Sequence, residues 1–480
     1  VRIAWVLVLV ACTRAPDKAP ARRVPRANLG EANTRRADYI GPDACGECHP
    51  DEHARWSQSL HRVMNARVGE PGAVIGDFAT KLAYDGGEVR FTREGGAYVM
   101  TLAKAGAQVR YRVTRTIGHR GLQEYVGVED GHTEEVRLPF GWWPKHGGWA
   151  PQIAFDPWLQ QFDPYTPVRE PWAERCPWCH STYAFDQRIA RSATLGVGHG
   201  LEQLVASAPV TPGRERLDVA QQVTTGISCE SCHLGGRAHA DGAAITFVPQ
   251  GAAGLPATFA EQRRSAQVVN AVCAQCHSGP SPRLADGTAL RNSSEALDLA
   301  ASPCTTARCT DCHDPHRADA RADEARAIAA CTHCHDALAD ATALRAHAGS
   351  GHEGVTCLDC HMPKIVMGID RFVRTHRISS PTNPALLADG APNACNLCHL
   401  DRSTRWTLDA LGLHVAPTID PDAPLGELWL TGKSPQLRVL AAHAYAQSRL
   451  AGSVDLARGL ADPVPYVRAW TQLAIDAEKH

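Results

Sequence analysis

GVTCLDCHMPK, residues 354–364, carries Cys357, Cys360 and His361 in the order C-x-x-C-H. The same pentapeptide recurs seven times: CGECH from Cys45, CPWCH from Cys176, CESCH from Cys229, CAQCH from Cys273, CTDCH from Cys309, CTHCH from Cys331 and CNLCH from Cys395. With 18 cysteines and 23 histidines in 480 residues, composition alone predicts about 0.03 such copies. Repetition on this scale needs a chemical cause. Two cysteines at this spacing reach the two vinyl groups of one porphyrin as thioethers, and the adjoining histidine falls under the iron.

Each copy therefore predicts one covalently bound haem c, eight in all. The attaching cysteines are Cys45 and Cys48, Cys176 and Cys179, Cys229 and Cys232, Cys273 and Cys276, Cys309 and Cys312, Cys331 and Cys334, Cys357 and Cys360, and Cys395 and Cys398. The proximal iron ligands are His49, His180, His233, His277, His313, His335, His361 and His399. Only Cys12 and Cys304 are left over, which argues against a disulfide framework. A structural zinc site would take four ligands, usually two C-x-x-C pairs. The histidine that ends every copy argues for haem instead. Cys304, five residues before Cys309, is expected to be a plain thiol near the fifth haem, with a distal thiolate as the alternative.

Composition agrees. Nine Phe and nine Tyr are few for this length, as expected where porphyrins supply much of the apolar core. A formal charge of −2 gives no sign of a nucleic-acid partner. Residues 3–11 form an apolar run that is short for a bilayer span and fits a secretory signal. Leu9-Val10-Ala11-Cys12 is similar to a bacterial lipobox, which makes Cys12 the candidate for lipidation and membrane anchoring. An ordinary signal peptide with an incidental cysteine is the alternative. Either reading predicts export, to the periplasm, the outer membrane or the cell surface.

The expected organisation is a signal segment over residues 1–12, a flexible Pro/Ala/Arg-rich linker over 13–38, and an octahaem domain over 39–402. A β insert at about 76–140 interrupts that domain, and a helical tail runs over 403–480. In the insert, KLAYDGG, EVRFTREGG, AYVMTLAK and AQVRYRVTRTI alternate apolar with polar residues between Gly-Gly and Asp-Gly turns. They predict an antiparallel sheet of about four to six strands. Residues 139–178 hold Trp142, Trp143, Trp149, Trp158, Trp172 and Trp178, expected to pack the sheet against the haem domain. The fold class is thus a multihaem cytochrome c. Short helices and loops wrap the haems, with an inserted antiparallel sheet and a C-terminal α-helical, HEAT-like segment. In that segment Val467, Trp470, Leu473 and Ala474 share one helix face.

YIGPDACGECHPDEHARWSQSLH, residues 39–61, resembles the opening of the multihaem cytochrome c family that includes the tetrahaem cytochromes of hydroxylamine oxidation. GISCESCHLGGRAH, CTDCHDPH, GVTCLDCHMPK, RTHRISSP and APNACNLCH resemble later parts of bacterial multihaem cytochromes often joined to tetratricopeptide or HEAT-like repeats. The resemblance implies electron transfer, although some family members act on nitrite or hydroxylamine. It nominates His61, His119, His239, His316 and His376 as distal iron ligands, with His352 in a familiar place. His347 and His199 complete a set of eight. With four methionines in the chain, bis-histidine ligation is the expectation.

These readings predict an exported carrier that passes electrons along a haem chain in a respiratory or extracellular pathway. Its partners would be redox proteins, the membrane through its lipid anchor, and a multiprotein complex through the C-terminal helices. The alternative is a multihaem oxidoreductase for a small nitrogen or sulfur compound such as nitrite, hydroxylamine or tetrathionate. That enzyme would need one iron with an open distal side.

Overall fold

The computed structural model describes residues 33–152, 163–166, 169–188, 217–252, 254–317 and 323–478. Cys12, His199 and Trp158 lie outside them. Among the described residues, no helix is long and apolar enough to cross a membrane.

The described chain builds short helices around its motifs and one large antiparallel sheet, with three two-stranded ribbons besides, as the fold class predicts. Strands β1 (Asn65–Arg67), β2 (Thr80–Tyr84), β3 (Gly87–Glu94), β4 (Ala97–Lys104), β5 (Ala107–Ile117), β6 (Glu124–Glu129) and β7 (Glu135–Arg137) form this sheet. Its order is β2-β3-β4-β5-β6-β7, with β1 also on β5. Three two-residue turns set the register, at Asp85-Gly86, Gly95-Gly96 and Ala105-Gly106, all six residues with positive φ. Both central residues are left-handed, which matches the strand twist and closes the hairpins at Tyr84↔Gly87, Glu94↔Ala97 and Lys104↔Ala107. Seven strands exceed the expected four to six. The addition is β1, which comes from the segment just after the first motif and pairs Arg67 with Arg115.

The sheet buries Val89, Phe91, Met100, Leu102, Tyr111 and Val113 on one face. The hairpin β8 (Phe140–Trp143) and β9 (Gly148–Pro151) covers this face. Trp149 lies flat on Phe91 with ring centroids 3.7 Å apart. The tryptophans divide by role. Trp142 and Trp149 pack on the sheet, Trp143 packs against the C-terminal helices, Trp172 precedes the second motif and Trp178 lies within it.

The tail is part of the body. Helices α1 (Pro435–Ala446) and α2 (Pro465–Glu478) bury Val439, Tyr466, Val467, Trp470 and Leu473 against Leu122, Trp143 and Met367. His443 is buried at this junction, its ring 5.3 Å from Trp470 and 5.6 Å from Phe372. Its Nε2–H donates to the Trp470 carbonyl at 3.0 Å, and Nδ1 is buried without a hydrogen-bond partner.

Burial pushes the His443 pKa down to about 4; the Trp470 carbonyl opposes the shift, nearby His146 adds to it, and Asp370 opposes it weakly. The unfolded imidazole binds its proton near pH ~6.5, so between those values the unfolded chain holds more protons than the folded one. This contribution, roughly 3 kcal/mol, is fully present above pH ~6.5 and drains away as pH falls toward 4. Thermal midpoints should therefore fall more steeply between about pH 7 and about pH 4.5 for the native chain than for His443→Gln. Equal slopes would remove His443 as a cause of acid lability.

Candidate haem-binding sites

Each motif folds as a single helical turn. The amide of the motif histidine donates to the carbonyl of the first cysteine, at 2.9 Å for His49, 2.8 Å for His233, 3.0 Å for His277 and 2.9 Å for His313, His335 and His399. At His180 the bond is 3.2 Å. An i, i+3, i+4 turn puts both sulfurs and the imidazole on one face, as attachment to one porphyrin requires. Local caps hold these turns. At the seventh motif the Asp359 carboxylate accepts from the Thr356 amide at 2.9 Å, and at the fifth Asp311 accepts from the Arg308 amide at 2.8 Å. All the described cysteines are unbridged thiols.

Five motif histidines face a second histidine at nearly one separation. Ring centroids are 6.1 Å apart for His49 and His239, 6.2 Å for His233 and His316, and 6.1 Å for His313 and His376. They are 6.0 Å apart for His361 and His347, and 6.4 Å for His399 and His352. The first four pairs are nearly parallel, with interplanar angles of 15°, 9°, 29° and 10°, and the fifth is perpendicular at 89°. Parallel rings in contact sit much closer, as Trp149 and Phe91 do at 3.7 Å. Two imidazoles on one iron stand about 2 Å from it on either side, with each centroid about 1 Å behind its nitrogen, so about 6 Å separates the centroids. The side chains present fit a bis-histidine iron.

Backbone carbonyls orient several of these rings. His239 Nδ1 meets Ala243 O at 2.8 Å, His352 Nδ1 meets Ala348 O at 2.9 Å, and His361 Nδ1 meets Ser379 O at 2.9 Å. A proton held on Nδ1 leaves Nε2 bare for a metal. The surroundings also keep imidazoles neutral. Burial lowers His233 to about 4, with His316 adding to the drop, and it lowers His376 as well.

His61 is placed by close backbone packing. Trp56 Nε1–H donates to Ile227 O at 2.8 Å, and the Ile227 amide donates to His61 O at 3.0 Å. A Cβ on Gly226 would meet Arg62 O at 2.1 Å, so a glycine is needed where the two chains cross. Burial lowers His61 to about 4, and the charge of His277 lowers it further. His277 also has a carboxylate partner, Glu295 Oε2, 3.2 Å from Nδ1. Burial would lower His277, but Glu295 outweighs it and raises the group to about 9.

The remaining candidates stand apart. His180 has Nδ1 3.5 Å from Met64 O and its ring 6.4 Å from Trp172. Among the described residues, no ring contact joins His180, His335 or His119 to another histidine. His199 falls outside the described residues. Cys304 lies near the sixth motif's Cys334 as well as ahead of the fifth motif in sequence. Burial raises its pKa, and the second contribution comes from Cys334 of the sixth motif.

Residues 345–410 match the protein family described as Cytochrome c552. They include the seventh and eighth motifs and His347, His352 and His376. Covalent haem c is the cofactor that the motifs and this match have in common. None of the curated proteins matches the chain. Among solved structures, the outer cell wall cytochrome OcwA is similar at 16% identity, covering 92% of this chain and 100% of that one, with a TM-score of 0.44. The undecahaem cytochrome from the S-layer of Carboxydothermus ferrireducens is 15% identical over 93% of this chain and 69% of that one, with a TM-score of 0.41. The octahaem sulfite reductase MccA of Wolinella succinogenes, form II, is 16% identical over 74% and 60%, with a TM-score of 0.35.

Proposed function

We propose that this chain is an exported octahaem c-type cytochrome that carries electrons between redox partner proteins. The observation that carries the reading is the set of five histidine pairs, each with one motif histidine, at centroid separations of 6.0 to 6.4 Å. Once bound, each haem supplies a one-electron iron couple. The chain supplies the rest. His239, His316, His376, His347 and His352 serve as distal ligands for the first, third, fifth, seventh and eighth motifs, and His61 serves for the fourth. Two imidazoles on one iron leave no open position and little to rearrange when the charge changes, which suits a carrier. Carbonyl partners at Nδ1 hold the rings in place during that change.

Export, a lipid anchor at Cys12 and assembly through the HEAT-like tail belong to the same proposal. They are supported by the N-terminal sequence and by the extracytoplasmic attachment of haem c in bacteria. The second reading, an oxidoreductase for a small nitrogen or sulfur compound, is favoured by one observation. Among the described residues, no ring contact joins His180, His277 or His335 to another histidine, so the second, fourth and sixth motifs are the places where an open iron would stand.

Haem stoichiometry tests the carrier reading. A pyridine haemochrome assay on the mature protein should give eight haems per chain, and carbon monoxide should leave the reduced spectrum nearly unchanged. Six haems or fewer would overturn the count. Stoichiometric carbon monoxide binding with turnover of nitrite or hydroxylamine would favour the enzyme.

A further inference from the structure

The fourth motif meets three others. Its Gln275 accepts at the backbone carbonyl from Trp178 Nε1–H of the second motif at 2.9 Å. The side chain of Gln275 is 3.5 Å from the Ser231 carbonyl of the third motif. The helix Ala266–Ala274, which enters the fourth motif, offers Asn270. Its Oδ1 accepts from the Cys309 amide of the fifth motif at 2.9 Å, and its Nδ2 donates to Ala307 O at 2.9 Å. The sulfurs repeat the pattern. Cys309 of the fifth motif is the largest influence on the Cys273 thiol and Cys179 of the second the largest on Cys276, and Cys179 Sγ lies 4.0 Å from the Cys276 carbonyl. In the haem-bound protein these sulfurs are thioethers, so their nearness brings two porphyrin edges together.

The remaining motifs follow in line. Glu230 of the third motif accepts from the Ile40 and Gly41 amides ahead of the first. Arg326, on the helix that carries the sixth motif, donates to the Thr310 and Asp311 carbonyls of the fifth at 2.7 and 3.2 Å. Arg374 bridges Glu324 at the start of that helix and Asp359 of the seventh motif, at 3.2 and 2.8 Å. The eighth motif's His399 faces His352, just ahead of the seventh. The second motif also reaches the third, where Thr182, two residues beyond His180, places its Oγ1 2.9 Å from Ser231 Oγ.

We propose that the fourth motif is the branch point of the haem network. Its haem adjoins those of the second, third and fifth motifs. The first haem joins through the third, and the sixth, seventh and eighth follow the fifth in line. The second haem is a side arm. Glu295 is the positioning residue at the junction. By accepting the Nδ1 proton of His277 it makes that imidazole a stronger donor to iron and lowers the potential of this haem, so electrons cross it without being held. The proposal rests on the reading that every motif carries a haem.

A crystal or electron cryo-microscopy structure of the haem-loaded protein separates the possibilities. With eight haems present, the shortest edge-to-edge distance from the second haem should be to the fourth. Eight haems with the second nearest to the first or third would overturn the branch point and leave the octahaem reading intact. Fewer than eight would overturn that reading itself. Glu295→Gln gives the functional test in the full chain. It should raise the potential of a single haem and slow electron redistribution after pulsed reduction several-fold, and Glu295→Asp should restore much of both. A raised potential with unchanged redistribution would overturn the junction.

Discussion

Replacing His347 with alanine should convert one haem from six- to five-coordinate. The oxidised protein should gain about one equivalent of high-spin iron, and the reduced protein about one equivalent of carbon monoxide binding, where the native chain shows nearly none. The cause is the His361–His347 pair, 6.0 Å between centroids and 10° between planes. His361 is held by Ser379 O and has no way to supply both ligands. His132→Ala is the control, because that ring is exposed and lies beside Glu129, 3.6 Å away. Paramagnetic resonance and carbon monoxide difference spectra report the result. A His347→Ala protein that stays low-spin and inert to carbon monoxide would take His347 out of the ligand set.

Glu230→Ala should cost several kcal/mol of stability and loosen the first motif. The Glu230 side chain is 1% exposed, and its carboxylate accepts from three backbone amides, Ile40 at 3.0 Å, Gly41 at 2.8 Å and Gly236 at 2.8 Å. Alanine leaves these donors without an acceptor, at about 1–3 kcal/mol each. The sum is a large part of a typical folding free energy of about 5–15 kcal/mol. Glu230→Gln should be milder. An amide oxygen can still accept from Ile40 and Gly236, but the amide NH2 then opposes the Gly41 N–H. Denaturation midpoints and the proteolytic sensitivity of the first motif measure both variants. A Glu230→Ala chain that melts with the native one would show that these bonds contribute little.

The sheet was legible because its signals are local. Asp85-Gly86 and Gly95-Gly96 announce their turns in sequence, and alternation in β3 and β4 marks the buried face. The Ala105-Gly106 turn is less evident, since alanine rarely takes the φ of 51° found there. β1 was missed because three residues carry no period, and only the presence of β5 makes them a strand. His347 shows the same limit. Its helix, Ala341–Ala348, has no motif of its own, so the sequence could name it as a distal candidate but only its place opposite His361 pairs it with the seventh motif. Conversely, His119 has sequence support, but no ring contact among the described residues joins it to a motif histidine.

The sequence by itself marked eight turns for haem attachment and, in each, the histidine proposed to lie under the iron. C-x-x-C-H is a complete chemical unit within one helical turn, so five residues suffice to define it. Only the tertiary structure decided which histidine faces which motif. His239 lies 190 positions from His49, and His316 lies 83 from His233. An imidazole pair about 6 Å apart is a long-range closure, set by Glu230, Gly226, Gln275 and Asn270 where distant segments cross. No local pattern encodes such a crossing, because its energy comes from burying polar groups with partners that the sequence does not place side by side.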